Sequence, residues 1–101
     1  MRHFETLLLL SPELSNEERD SIIDTFSSII VKKGGEIKEI DKWGMKTLMY
    51  PVRKQTRGFY IRLEYKAPPH AIAELERIIR ITEGTYKFLT VRLEDKEQEI
   101  S

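Results

Sequence analysis

Few residues of this chain have the type and spacing that catalysis requires. The 101 residues include no cysteine and two histidines, His3 and His70, and no tight carboxylate cluster accompanies either histidine. Thiol catalysis and cysteine-type zinc sites are therefore excluded, and a histidine metal site is not indicated. No Ser, Thr or Lys stands in a recognisable nucleophile motif. The sequence predicts no enzyme, no metal site and no cofactor.

The sharpest candidate for chemistry is the stretch Arg57-Gly58-Phe59-Tyr60-Ile61-Arg62-Leu63-Glu64, which partly matches the RNA-recognition-motif consensus. In that motif, aromatic side chains stack RNA bases on an open sheet face. Strand alternation argues against this mode here, because an outward Phe59 would bury Arg62 and Glu64 in the core. We therefore expect Phe59 in the core, Tyr60 outside, and no base stacking of this type.

Charge is distributed unevenly along a chain that has 17 basic and 17 acidic residues. Residues 42–66 hold seven basic groups against Glu64 alone, whereas residues 1–24 hold two basic and six acidic groups. A focused basic patch can attract phosphate without an overall positive charge. The same cations would also deter edge-to-edge strand pairing. Charge alone leaves both interpretations open.

Hydrophobic periodicity and turn residues divide the chain into strands and helices. Ser15-Asn16-Glu17-Glu18 fits a capping box that begins a helix, and a bulge near Gly44 would reconcile two facing patterns in the second strand. The facing of the last strand stays open. The predicted strands are 2–10, 36–52, 58–66 and about 86–93, with a turn at 53–57. The first predicted helix runs from the Ser15 cap to Lys32-Lys33-Gly34-Gly35. The second is opened by Ala67-Pro68-Pro69 and ended by Thr82-Glu83-Gly84.

This β-α-β-β-α-β order is typical of an α+β, ferredoxin-like fold, with two helices on one face of a four-stranded antiparallel sheet. We expect residues 1–93 to form one domain and the acidic residues 94–101 to form a mobile tail. The longest apolar run, Leu7 to Leu10, is too short to span a membrane, and no signal peptide is indicated. We expect a cytoplasmic protein without membrane contact.

The segment Gly44-Met45-Lys46-Thr47-Leu48-Met49-Tyr50-Pro51-Val52 resembles the signature of the family of the sixth protein of the bacterial small ribosomal subunit. Gly58-Phe59-Tyr60 is similar to the start of that family's third strand. Further matches are Arg2, Phe4, Glu5, Pro12 and Gly34, so the resemblance covers nearly the whole chain. Thr47 and Met49 depart from the pattern, which has a basic and a small residue there.

The resemblance implies a structural protein of the 30S subunit that binds the central domain of 16S ribosomal RNA together with the eighteenth small-subunit protein and other 30S components. By matching position it implies rRNA contacts at Arg2, Lys54, Lys87 and Arg92, which Arg53 and Arg57 join by charge and location. It implies a partner-binding surface at Asp41 and Lys46, with Trp43 and Met45 as apolar neighbours. A partner would also cover the apolar residues Leu7, Leu9 and Val91, which we expect to be exposed on the open sheet face.

Two other functions stay open at this stage. A stand-alone RNA-binding module would depend on outward residues such as Tyr60 or His3. A small-molecule enzyme or sensor is compatible with the fold class only by analogy.

Overall fold

A computed structural model describes residues 1–93 and confirms the predicted ferredoxin-like order of elements. The acidic segment 94–101, which we predicted to be a mobile tail, lies outside the described residues. The elements are β1 (Arg2–Leu10), α1 (Asn16–Lys32), β2 (Glu36–Val52), β3 (Gln55–Ala67), α2 (Pro69–Ile81) and β4 (Thr85–Arg92). The strands form one antiparallel sheet in the order β2-β3-β1-β4.

The predicted capping box begins α1. The Glu18 N–H donates to Ser15 Oγ at 3.1 Å, and the Ser15 N–H donates to Glu18 Oε1 at 2.9 Å. These bonds satisfy two N–H groups of the first turn. They also lower the pKa of Glu18, and the bond from the Ser15 backbone has the largest effect. The helix then buries Ile23, Phe26 and Ile30 at helical spacing against the sheet.

The core lies between the helices and one face of the sheet, and alternate strand residues supply it. The largest buried strand residues are Leu8, Leu10, Ile61, Leu63 and Tyr65. Tyr65 brings a hydroxyl into this layer, and Thr6 accepts or donates a hydrogen bond of 2.8 Å with it. Thr6 Oγ1 also lies 2.9 Å from Thr90 Oγ1, so β4 turns Thr90 toward the helices. Leu89 and Val91 therefore lie on the open face, which resolves the facing of this strand.

The second strand carries the predicted bulge. Its pairing with β3 shifts register between Lys42 and Gly44, and Gly44 has φ +92°. Two further shifts, at Ile37/Glu39 and at Thr47/Val52, were not predicted. β2 is an edge strand, so Pro51 interrupts no inner ladder.

The predicted five-residue turn at 53–57 is wrong. Val52 pairs with Gln55, so Arg53 and Lys54 alone connect β2 to β3. Their φ angles are +50° and +64°, as the tight type I′ hairpin turn requires. Residues 55–57 continue the strand, which gives the hairpin a longer paired end than the sequence indicated.

Candidate nucleic-acid and protein interface

The β2–β3 hairpin ends in a basic tip, residues 46–57. The tip contains four cations and no acid: Lys46, Arg53, Lys54 and Arg57. It extends past the body of the sheet, because β1 pairs with β3 only from Phe59 onward. Arg53 lies over the ring of Tyr86 in β4, with Cζ 5.5 Å from the ring centroid, and Gln55 Nε2 donates to Glu13 Oε1 at 2.9 Å. These two contacts hold the tip against the end of the sheet.

The six predicted rRNA-binding cations fall into two groups at opposite ends of the sheet. Arg53, Lys54 and Arg57 lie in the tip, and Lys87 lies near it because Lys87 pairs with Leu9 at the end of β1. Arg2 and Arg92 lie at the other end. Arg92 is opposite Phe4, two residues from Arg2 and on the same side of the sheet. The nearest members of the two groups, Lys87 and Arg92, are five residues apart on β4. That is about 17 Å along the strand, so a single phosphate cannot contact both groups.

The open face of the sheet is acidic at its centre, which we did not predict. Arg62 is surrounded by three carboxylates: it donates to Glu64 Oε1 at 2.7 Å and to Glu5, and its Nη1 lies 3.8 Å from Glu39 Oε2. His3 Nε2 lies 2.7 Å from the second oxygen of Glu64. One guanidinium cannot neutralise three carboxylates, so this cluster keeps negative charge when His3 is neutral.

Hydrogen bonding in this cluster favours its charged forms. The hydrogen bond from Arg62 has the largest effect and lowers the pKa of Glu64, and the hydrogen bond from His3 lowers it further. Bonds to Glu5 and then Glu64 raise the pKa of Arg62. The centre of the open face therefore repels phosphate and attracts cationic groups.

Six of the seven predicted partner-binding residues share this open face. Asp41 is opposite Arg62 and accepts a hydrogen bond of 2.9 Å from Trp43 Nε1, while Lys46 is opposite Gly58. Leu7 and Leu9 project from β1 and Val91 from β4. Met45 is the exception: it pairs with Phe59, which faces the helices, so it lies on the other side of the sheet from Asp41.

The prediction that Leu9 is exposed is wrong, because its side chain is only 4% exposed. Leu9 lies over Gly58, where an added Cβ would collide with Leu9 Cδ1. The missing side chain at Gly58 thus leaves the space that Leu9 fills. Leu89, which we did not select, is 57% exposed instead.

The aromatic facing predicted for β3 is confirmed. Phe59 packs against the core, while Tyr60 lies outside with its ring centroid 6.4 Å from that of Trp43. Five acids, Glu5, Glu36, Glu39, Asp41 and Glu64, share this face with the two rings. Acids beside the rings oppose an approach of phosphate, so this face lacks the electrostatics of an RNA-stacking sheet.

Within residues 1–93, no group of three or more His, Cys, Asp or Glu side chains is arranged to hold a metal ion. In the same range, neither helix is long and apolar enough to cross a membrane.

Comparison with known proteins agrees with the resemblance. The model of the family "Ribosomal protein S6" matches residues 3–92. The chain is 54% identical to small ribosomal subunit protein bS6 of Nitratidesulfovibrio vulgaris (strain DP4) over 101 residues, which cover 100% of both chains. It is 42% identical to the protein of that name from Caldanaerobacter subterraneus subsp. tengcongensis, over 94% of this chain and 100% of the relative. The crystal structure of 30S ribosomal protein S6 from Thermotoga maritima superposes with a TM-score of 0.90 at 25% identity, covering 98% of this chain and 94% of that one. These relatives are ribosomal proteins and not enzymes, in agreement with the expectation of a non-catalytic chain.

Proposed function

We propose that this chain, which belongs to the ribosomal protein S6 family, is a structural protein of the small ribosomal subunit in the cytoplasm. There it binds the central domain of 16S ribosomal RNA together with the eighteenth small-subunit protein. The observation that carries this proposal is the separation of charge on the sheet. Cations lie at its two ends, and carboxylates lie at the centre of its open face. The ends of the sheet suit phosphate, whereas the centre of the open face suits a cationic protein.

The two groups of cations support a contact with extended RNA. Because at least about 17 Å separates them, an RNA that contacts both groups must present several phosphates rather than one. With no net charge on the chain, the phosphate contacts provide limited attraction on their own, since non-specific affinity depends on how many phosphates are neutralised. A second protein that adds cations would therefore raise the affinity.

The open face supports a basic protein as that partner. Its acidic cluster around Arg62 attracts cations, and exposed apolar side chains lie on both sides of the cluster. Trp43 is on edge strand β2, and Leu89 and Val91 are on edge strand β4. Exposed apolar side chains beside a charged cluster give a partner both apolar area to bury and charge complementarity.

The test is a titration of a 16S central-domain fragment with this chain, with the eighteenth protein, and with both. We expect the pair to bind much more tightly than either protein alone. Equal affinity of this chain with and without the partner would contradict the proposal.

Variants separate the two surfaces. Trp43→Ala and Leu89→Ala should weaken binding of the partner, whereas Ile81→Ala, which shortens an exposed apolar side chain on α2, should not. Lys87→Ala should weaken RNA binding by the pair, whereas Lys32→Ala at the end of α1 serves as the matched cation control.

A stand-alone RNA-binding module is the second candidate, and the adjacent rings of Trp43 and Tyr60 on the open face favour it. In that case Tyr60→Ala or His3→Ala would reduce RNA affinity in the absence of any partner protein. The acids beside these rings make us expect no such loss.

A further inference from the structure

The segment Leu48–Pro51 forms an enlarged bulge in β2. Thr47 pairs with Arg57 and Val52 pairs with Gln55, so four residues of β2 lie opposite the single residue Thr56. A bulge usually adds one residue to a strand, and this one adds three. The extra backbone cannot remain in the ladder, and Pro51 has no N–H to contribute to it.

Two large side chains of this segment are left in solvent. Met49 is 88% exposed and Tyr50 is 76% exposed, the highest values among the large hydrophobic residues that the structure describes. Packing therefore gives no reason for an aromatic ring at position 50. An exposed aromatic ring beside cations is typical of surfaces that bind single-stranded nucleic acid.

The cations of the basic tip lie on both sides of Tyr50 in the sequence. Tyr50 lies between Lys46 and the Arg53-Lys54 turn, in a segment without an acid. Among residues 1–93, none of the four tip cations is in an ion pair with another described residue, and only Arg53 has a stacking contact, with Tyr86. The tip thus combines an uncovered ring with charges that can neutralise phosphates.

This combination fits a nucleotide whose base is not paired. An aromatic ring can stack on the face of any base, but in an A-form duplex neighbouring base pairs cover those faces. We propose that Tyr50 stacks on an unpaired base of the RNA while Arg53, Lys54 and Arg57 of the tip contact the phosphates beside it, a contact that rests on the proposed RNA-binding function. A basic protein suited to the acidic open face would be repelled by the tip, so RNA is the occupant that the charges favour.

The test uses the full chain with the eighteenth protein and the same 16S central-domain fragment. Tyr50→Ala should weaken RNA binding about 5- to 150-fold, the range for loss of one base stack. Tyr50→Phe should remain within about twofold of wild type, because the ring is retained. Met49→Ala is the matched control, because Met49 is the more exposed neighbour and has no ring. The slope of log K against log salt should be unchanged in Tyr50→Ala, because no charge is lost.

Three outcomes would overturn the inference. If the wild-type complex binds RNA and the Tyr50→Ala complex binds it with an affinity within about twofold, the stack is absent while the proposed function stands. If Tyr50→Ala weakens binding to the eighteenth protein without RNA present, the tip contacts protein. If the wild-type complex does not bind the fragment, both this inference and the proposed function fail. Thermal unfolding of each variant verifies its fold, which the exposure of Tyr50 should leave intact.

Discussion

Replacing Lys54 by glycine should stabilise the fold while it weakens RNA binding. Lys54 has φ +64°, and together with Arg53 at +50° it forms a hairpin turn that usually contains Asn and Gly. Non-glycine residues in strained backbone regions are often associated with function. Here the strained position carries one of the cations proposed to contact phosphate.

The magnitude follows from two opposing terms. An L-residue in the left-handed region costs about 1–2 kcal/mol that glycine avoids. Glycine in turn loses about 0.5–1 kcal/mol more backbone entropy on folding. The net gain for Lys54→Gly is therefore about 0.5–1 kcal/mol, or a Tm rise of roughly 4 °C for a domain of this size. Keeping Arg53 unchanged preserves its contact with Tyr86.

Lys54→Ala is the matched control, because it removes the same charge and keeps the backbone strain. Urea unfolding should place Lys54→Gly above Lys54→Ala by about 0.5–1 kcal/mol at equal m-value. Both variants should lose about 0.7–0.9 from the slope of log K against log salt for RNA, the share of one phosphate contact. Equal stability of the two variants would refute the strain argument, and an unchanged salt slope would refute the phosphate contact.

Three further predictions concern the fold. Gly35→Ala should destabilise the domain by about 2 kcal/mol in urea unfolding, because the new Cβ would lie 2.5 Å from the Lys66 carbonyl oxygen; a loss below about 0.5 kcal/mol would contradict this close approach. Tyr65→Phe should cost about 1 kcal/mol through the lost bond to Thr6, and no change in Tm would show that this buried hydroxyl contributes nothing. Glu64→Gln should cost about 1 kcal/mol at neutral pH. Since the pKa of Glu64 is lowered in the fold, its contribution is present above the unfolded value of about 4.3 and is lost as pH falls through the lower folded value. A difference between Glu64→Gln and wild type that persists in strong acid would contradict that origin.

Local patterns in the sequence were sufficient for most of the architecture. Ser15 and Glu18 predict the start of α1, because a capping box involves only residues three apart. Strand alternation predicts Phe59 inside and Tyr60 outside, because the opposite facing would bury charged side chains of the same strand in the core at a large energetic cost. Gly44 predicts the bulge, because two facing patterns meet there in one strand.

The turn and the exposed segment of the tip were not predictable in this way. Gln55 to Arg57 have polar side chains that are typical of a loop as well as of a strand that extends past the sheet. Cations at two left-handed positions also run against turn preferences, so Arg53 and Lys54 gave no signal for a tight turn. The outward position of Tyr50 follows from a register shift that only the pairing with β3 reveals.

The sequence by itself therefore determined the order of elements, the core-facing residues of α1 and β3, and the family. The tertiary structure alone decided which surface residues are neighbours. Alternation assigns Glu5, Arg62 and Glu64 to one face, but only the pairing of β1 with β3 brings them together as an ionic cluster. It likewise places Leu9 over Gly58, where it is buried and not exposed. The physical reason is that facing is a local property with a period of two residues, whereas register depends on contacts between distant parts of the chain.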